Sequence, residues 1–290
     1  MIVPFKIACI QTNSARELAP NLDIAAAQIR SARAGGADLI ALPENVAMME
    51  PEGAKLRAKA QSEEKHEALA AFRDLALETG AWILAGSLAV KLPEGLIANR
   101  SYLIGADGAI KARYDKIHMF DVDLDNGESY RESATFRPGE EAVLAETPWG
   151  LLGMTVCYDL RFPHLYRSLA QAGATMISVP SAFTQTTGRA HWHVLQRARA
   201  IETGAFIIAP AQCGVHAEGR RTFGHSMIVD PWGEILAEAG EEPGIIAAGI
   251  DLARVAKARG MVPSLRHDRD FAVPESPAPE SKSSKTKAAG

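Results

Sequence analysis

Leu151-Leu152-Gly153-Met154-Thr155-Val156-Cys157-Tyr158-Asp159-Leu160-Arg161-Phe162-Pro163 is the stretch on which the fold turns. Up to Val156 it is apolar, short and continuous, which is the pattern of a buried strand rather than a helix. Polar and charged residues begin abruptly at Cys157. Pro163 suits the first turn of a helix, where its missing N–H has no partner to lose. That helix is expected to continue from His164 to Ala172 and to stop at Gly173. Cys157 therefore stands between a buried strand and a helix start, the place where α/β folds open a crevice. Backbone N–H groups and the positive end of a helix would favour a thiolate there. An ionised carboxylate nearby would oppose that pull.

Working outward, Lys6 to Gln11 and Leu39 to Leu42 read as strands, and Pro43-Glu44 follows the second. A helix capped by Asn21 is expected to run to about Arg33, and another, capped by Ser62, to end at Gly80. Trp82 to Val90 is a strand. Asn99–Ile104 and Ile110–Tyr114 form a hairpin turning at Ala106-Asp107-Gly108, and Lys116 follows directly. Residues 117–139 make a long polar loop, a length that usually carries function. Val143–Glu146 pairs with the 151–156 strand around Pro148-Trp149-Gly150. The rest reads as strand Met176–Val179, loop Pro180–Gly188, helix Ala190–Glu202, strands Phe206–Ala209, Ser226–Val229, Ile235–Glu238 and Ile245–Ile250, and a short helix Leu252–Arg259. The pattern predicts one α/β domain over residues 1–273. Residues 274–290 are rich in Pro, Ser, Glu, Lys and Ala and are expected to be a disordered tail.

A chain of 290 residues that is 47% hydrophobic has ample material for one large core. Its net charge of −4 predicts neither nucleic acid nor anionic membrane as partner. Cys9, Cys157 and Cys213 are too widely spaced for a disulfide framework or a CxxC metal site, which suggests a reducing, cytoplasmic setting. The N-terminus has no secretory pattern, and no apolar run reaches membrane-spanning length.

Glu44, Lys116 and Cys157 share one position type, the carboxyl end of a predicted strand. Together they supply a nucleophilic thiol, a carboxylate base and a cation for a developing oxyanion. No G-x-S-x-G elbow and no Walker A sequence competes. His191 and His193, two apart on a helix, point to different faces and make a poor metal pair; no metal is expected. His118 is read as a hydrogen-bonded structural histidine beside the pocket rather than a partner of the thiol. Ser181, Phe183, Thr187 and Trp192 follow the next strand, where substrate-pocket walls are expected. Tyr158 contributes chiefly its backbone N–H. Cys9 and Cys213 read as packing residues, and Asp159 and Arg161 as residues that fix the turn.

The segments Leu42-Pro43-Glu44, Tyr114-Asp115-Lys116-Ile117-His118 and Val156 to Pro163 resemble, in this order, the nitrilase or carbon–nitrogen hydrolase superfamily, over about residues 5 to 272. Phe120-Asp121-Val122-Asp123, Tyr130-Arg131-Glu132-Ser133, Arg197 to Thr203, Ala211-Gln212-Cys213-Gly214 and Gly224-His225-Ser226 are similar to the Nit-type amidases, in the manner of those acting on deaminated glutathione. The resemblance implies a four-layer α-β-β-α sandwich, homodimers paired through the helix after Cys157 and neighbouring segments, and no cofactor. It implies Cys157 as nucleophile, Glu44 as general base, Lys116 as oxyanion stabiliser and Glu132 as a second glutamate positioning substrate and Lys116.

The expected reaction is hydrolysis of a small-molecule amide, a primary carboxamide on a short acidic chain, to carboxylate and ammonia through a cysteine thioester. Deaminated glutathione is the expected substrate, with Arg131 and Arg189 offering positive charge to its carboxylates. Omega-amidase activity on α-keto acid amides, or N-carbamoyl amidase or nitrilase activity, are the alternatives. A thiol redox protein or an inactive binding scaffold are the readings from other classes.

Overall fold

The computed structural model describes residues 4–274 except 94 and 125–126. The expected tail thus lies outside the described residues, apart from Pro274. The first half of the chain forms β1 (Phe5–Gln11), α1 (Leu18–Ala34), β2 (Leu39–Ala41), α2 (Gly53–Lys59), α3 (Glu67–Thr79), β3 (Trp82–Lys91), β4 (Ile97–Ile104) and β5 (Ile110–Asp115). A small hairpin, β6 (Asp121–Asp123) with β7 (Ser129–Arg131), gives structure to part of the long polar loop. The second half forms β8 (Val143–Glu146), β9 (Leu151–Met154), α4 (Pro163–Gln171), β10 (Met176–Ser178), α5 (Gln185–Thr203) and β11 (Phe206–Ala209). It continues with β12 (Cys213–Val215), β13 (Arg221–Phe223), β14 (Met227–Val229), β15 (Ile235–Glu238), β16 (Gly244–Ile250) and α6 (Ala253–Met261).

These strands build two six-stranded sheets, ordered β16-β1-β2-β3-β4-β5 and β15-β14-β11-β10-β9-β8. In each, three central parallel strands are flanked by antiparallel ones. The parallel strands are buried on both faces, and their side chains divide with period two. Ile7, Cys9, Leu39, Ala41 and Leu84 pack in one core with the second sheet. Ala8, Ile10, Ile40, Ile83 and Ala85 face the opposite way, onto Ile29 of α1 and Leu69 and Phe72 of α3. Leu165 and Leu169 of α4 and Trp192 of α5 cover the second sheet. The layers are helix, sheet, sheet, helix, which is the expected α-β-β-α sandwich.

Local chemistry moved several predicted boundaries. Helix α1 begins three residues before Asn21, whose buried side chain instead bonds Ala15 and Ala47 backbone groups. Ser62 opens only a single 3₁₀ turn; α3 starts at Glu67, whose N–H is accepted by Gln61 Oε1 at 2.9 Å. Helix α5 starts at Gln185, capped by Thr184, so Gly188 lies inside it. A Cβ at Gly188 would overlap the Phe223 ring, so this glycine marks a close approach of helix to strand rather than a break. Helix α2 and the β12–β13 hairpin were not expected.

Candidate active site

Three loops deliver the three expected groups to one edge of the sandwich. Glu44 follows β2, Lys116 follows β5, which points the same way, and Cys157 follows β9 in the other sheet. The approach of the first loop depends on Gly86 in β3, where any Cβ would overlap the carbonyl oxygens of Leu42 and Pro43. Lys116 is anchored by its N–H to Asn99 O at 3.0 Å and by its carbonyl to the Gly139 N–H at 2.8 Å.

Cys157 adopts φ 49°, in the left-handed region that costs a non-glycine residue energy. The strain is held by two ties. Its N–H donates to Pro180 O at 2.9 Å, and the Val156 N–H donates to Asp159 Oδ2 at 2.8 Å. Asp159 is fully buried and also accepts from Tyr114 Oη at 2.7 Å and from the backbone N–H and Nδ1 of His118 at 3.1 and 2.7 Å. His118 stacks on Phe162 and is structural, as expected. The segment after Cys157 is a 3₁₀ turn, Cys157–Arg161, before α4 begins at Pro163.

Lys116 Nζ lies between two carboxylates. It donates to Glu44 Oε1 at 3.1 Å and to both Glu132 oxygens at 2.9 and 2.8 Å. Glu44 Oε2 accepts the Ala182 N–H at 2.8 Å, and Glu132 Oε2 accepts the Phe120 N–H at 2.7 Å. Asn99 joins the two carboxylates, its Nδ2 lying 2.9 Å from Glu44 Oε1 and 3.2 Å from Glu132 Oε1. Asn99 was missed; its only trace in the sequence is an amide inside the apolar strand 97–104.

Burial pushes the Cys157 thiol well up, and the facing Glu44 carboxylate pushes it further; Lys116 pulls back too little to offset them. Of the opposing pulls expected on this thiol, burial and the facing anion therefore outweigh the cation. Burial alone would raise Glu44, but the Lys116 charge and hydrogen bonds from Cys157, Lys116 and Asn99 hold it below its ordinary value. Burial would lower Lys116, but Glu132 and Glu44 keep it well above the usual lysine range. The resting site is a neutral thiol hydrogen-bonded to an ionised carboxylate, with a fixed cation alongside. That set can take a proton from sulfur as the sulfur attacks, and can return it.

These groups line one cavity, walled also by Tyr158, Phe183, Thr187, Phe120 and Tyr130. Tyr158 packs edge-on against Phe120 and Phe162. Ser181 and Trp192 do not line it. Ser181 is fully buried with its hydroxyl on Val179 O, and Trp192 stands behind Phe183 with its indole N–H on His225 O. Arg131 lines the cavity, and its guanidinium donates to both oxygens of Asp123 at 2.8 Å. Arg189 is exposed on α5 and does not line the cavity. Of the two expected arginines, Arg131 thus borders the cavity while paired with Asp123, and Arg189 lies away from it. His191 and His193 do part, as their spacing requires: His191 faces Arg161, while His193 and His225 both meet Glu238 Oε1, at 2.7 and 2.9 Å. That second group is a metal-capable donor set which the sequence reading did not anticipate.

The carbon–nitrogen hydrolase family matches residues 6–260. The chain belongs to this family. A deaminated glutathione amidase from a Synechocystis strain is 43% identical over 273 residues, 91% of this chain and 98% of that protein. The human omega-amidase is 34% identical over 268 residues, 91% of this chain and 95% of that protein. Among solved structures, the C. elegans NitFhit protein superposes with TM-score 0.86 at 35% identity, over 92% of this chain and 65% of that one. A glutamate-to-glutamine variant of an amidase from Nesterenkonia sp. AN1 carries an acetamide group covalently on its active-site cysteine. Its TM-score is 0.76 at 27% identity, over 87% of this chain and 92% of that one. The protein is thus an enzyme that hydrolyses carbon–nitrogen bonds.

Proposed function

We propose that this hydrolase is a thiol amidase acting on deaminated glutathione through a thioester on Cys157. The observation that carries the reading is the single cavity that brings Cys157, Glu44 and Lys116 together, with Lys116 Nζ 3.1 Å from Glu44 Oε1. The greater identity to the Synechocystis deaminated glutathione amidase than to the human omega-amidase supports the substrate. Deaminated glutathione bears its scissile nitrogen on a cysteinylglycine unit, so the leaving group is an amine. A primary carboxamide releasing ammonia describes α-ketoglutaramate instead, the substrate of the alternative reading.

In the proposed path, Cys157 sulfur attacks the carbonyl carbon as Glu44 takes the thiol proton. The oxyanion rests on the Lys116 ammonium and the Tyr158 N–H. Glu44 passes the proton to the departing nitrogen, the C–N bond breaks, and the amine leaves a thioester. Water then attacks the thioester, giving its proton to Glu44. Collapse expels the sulfur, which regains that proton, and the 2-oxo dicarboxylic acid leaves. Glu132 positions Lys116 and keeps it charged. One group serving as base and then acid suits the geometry, because Glu44 holds its place through Ala182 N–H and Asn99 without blocking Cys157.

Initial rates on deaminated glutathione, α-ketoglutaramate, an N-carbamoyl amino acid and a simple nitrile test this. Deaminated glutathione should lead, and a tenfold lead by the carbamoyl compound or nitrile overturns the substrate assignment. A lead by α-ketoglutaramate makes the enzyme an omega-amidase.

The same proposal includes a homodimer. Ile201 of α5, Trp232 and Val262 are exposed and line one apolar cleft, with Val194 and Met261 also exposed. Light scattering giving a monomer mass would refute it. A reducing, cytoplasmic setting accords with three buried, free thiols, and no helix among the described residues is long and apolar enough to cross a membrane.

A further inference from the structure

The proposed substrate is an anion, and the charges of the cavity show where its carboxylate can sit. Three cations line the cavity: Lys116, Arg131 and Arg220. Lys116 is held by Glu44 and Glu132, and Arg131 by Asp123. Glu50, a further anion in the lining, is held by Lys59 and Arg16. Arg220 alone of these has no carboxylate partner among the described residues. Its Nη2 donates to Ala182 O at 3.2 Å, and its guanidinium carbon lies 5.4 Å from the centre of the Tyr130 ring. Its Nε is buried and has no acceptor among the described residues. A buried donor without a partner is costly, and a ligand oxygen removes that cost. A guanidinium on an aromatic face also matches the planar carboxylate fork.

The backbone around Arg220 holds it in place. Glu218 and Gly219 both take left-handed φ, 57° and 78°, in the tight turn before it. The turn is closed by His216 N–H on Arg220 O at 2.8 Å. The His216 ring is itself buried between Ser14 O and the Thr222 hydroxyl, and burial lowers its pKa, so it remains a neutral strut.

Arg220 also lies close to the chemistry. The residue whose carbonyl it holds, Ala182, donates its N–H to Glu44 Oε2 at 2.8 Å. In an acyl chain of the 2-oxoglutaryl type, the carboxylate carbon is four bonds from the scissile carbonyl carbon, about 5 Å when extended. The carboxylate of a departing cysteinylglycine is six bonds away, about 7.5 Å. Arg220 is joined to the base through the single residue Ala182, and of the two carboxylates the acyl one is nearer the reacting carbon, so it is the one assigned to Arg220.

We infer that Arg220 is the receptor for the carboxylate of the acyl half of the substrate, and selects short dicarboxylic ω-amides over uncharged ones. The inference rests on the amidase reading above. The test compares wild type, Arg220→Met and Arg220→Lys in kcat/KM on deaminated glutathione and α-ketoglutaramate. The rate of Cys157 alkylation by iodoacetamide, a neutral probe, reports on the nucleophile separately. Arg220→Met should lose roughly 30- to 100-fold on both amides, mainly through KM, measured relative to its alkylation rate. Arg220→Lys should fall between, because it keeps the charge without the fork. A loss on deaminated glutathione alone would place Arg220 on the leaving dipeptide and overturn the inference. So would an equal loss in alkylation rate, which would make Arg220 a positioning residue acting through Ala182, or no loss at all. If wild type hydrolyses neither acidic amide, the substrate reading itself has failed, and that is seen before any variant is made.

Discussion

Replacing Glu44 by glutamine separates the chemistry of this site from its architecture. Glu44 Oε1 faces two donors, Lys116 Nζ at 3.1 Å and Asn99 Nδ2 at 2.9 Å, while Oε2 faces a third, the Ala182 N–H at 2.8 Å. Glutamine has the same length but only one acceptor. Whichever way its amide turns, its NH₂ opposes a donor. One such buried mismatch costs about 1–3 kcal/mol. At about 2–4 °C per kcal/mol, Tm should fall by roughly 2–12 °C. The fold should survive, because Lys116 keeps both bonds to Glu132. The activity loss should be far larger. The carboxylate moves protons in acylation and in deacylation, and general acid–base catalysis contributes roughly 10²- to 10⁴-fold, so kcat/KM should drop at least about 10³-fold. Removing the anion that faces the thiol also removes one of the two influences raising the Cys157 pKa, so iodoacetamide should still label the cysteine. The assay is initial rates on deaminated glutathione, with intact-mass measurement of alkylation and melting on the same sample. A folded variant within tenfold of wild-type kcat/KM would refute Glu44 as the base. A folded variant that iodoacetamide no longer labels would refute the account of the thiol.

Cys157→Ala should abolish turnover and leave the fold intact; residual activity above about one per cent of wild type, in a preparation shown free of wild-type protein, contradicts the covalent path. Lys116→Met should be at least about 100-fold slower and should shift the pH profile. Glu44 must be ionised to act, so wild-type kcat/KM falls only as pH drops through a pKa held below the ordinary carboxylate value. Without the Lys116 charge, burial raises that pKa and the acid limb moves to higher pH; an unmoved limb assigns it to another group. Gly86→Ala should destabilise the protein and lower activity together, since its Cβ would overlap the carbonyls of Leu42 and Pro43 beside Glu44; unchanged melting and rates would show that this loop can yield.

Much of the architecture is carried by local pattern. The continuous apolar runs at 39–42 and 151–156 mark strands buried on both faces, and the positions of Glu44, Lys116 and Cys157 just beyond strand ends follow from them. Pro163 and Gly173 bound α4 because each acts on the backbone at its own residue. What depended on distant neighbours was not legible. Gly188 looks like a breaker until Phe223 is seen against it, and Asn21 looks like a cap until Ala15 and Ala47 claim its amide. Asn99 is an ordinary strand residue until two carboxylates from other loops converge on it. The partners of the two expected arginines were set in the same way. A charge in a sequence has no address, and Asp123, eight residues from Arg131, took the first while exposure on α5 set the second aside. The protonation of Cys157 is likewise a tertiary property. Residue order supplied both a helix-start environment and a carboxylate, with opposite effects, and only the burial of the thiol against Glu44 decided that the upward pull prevails.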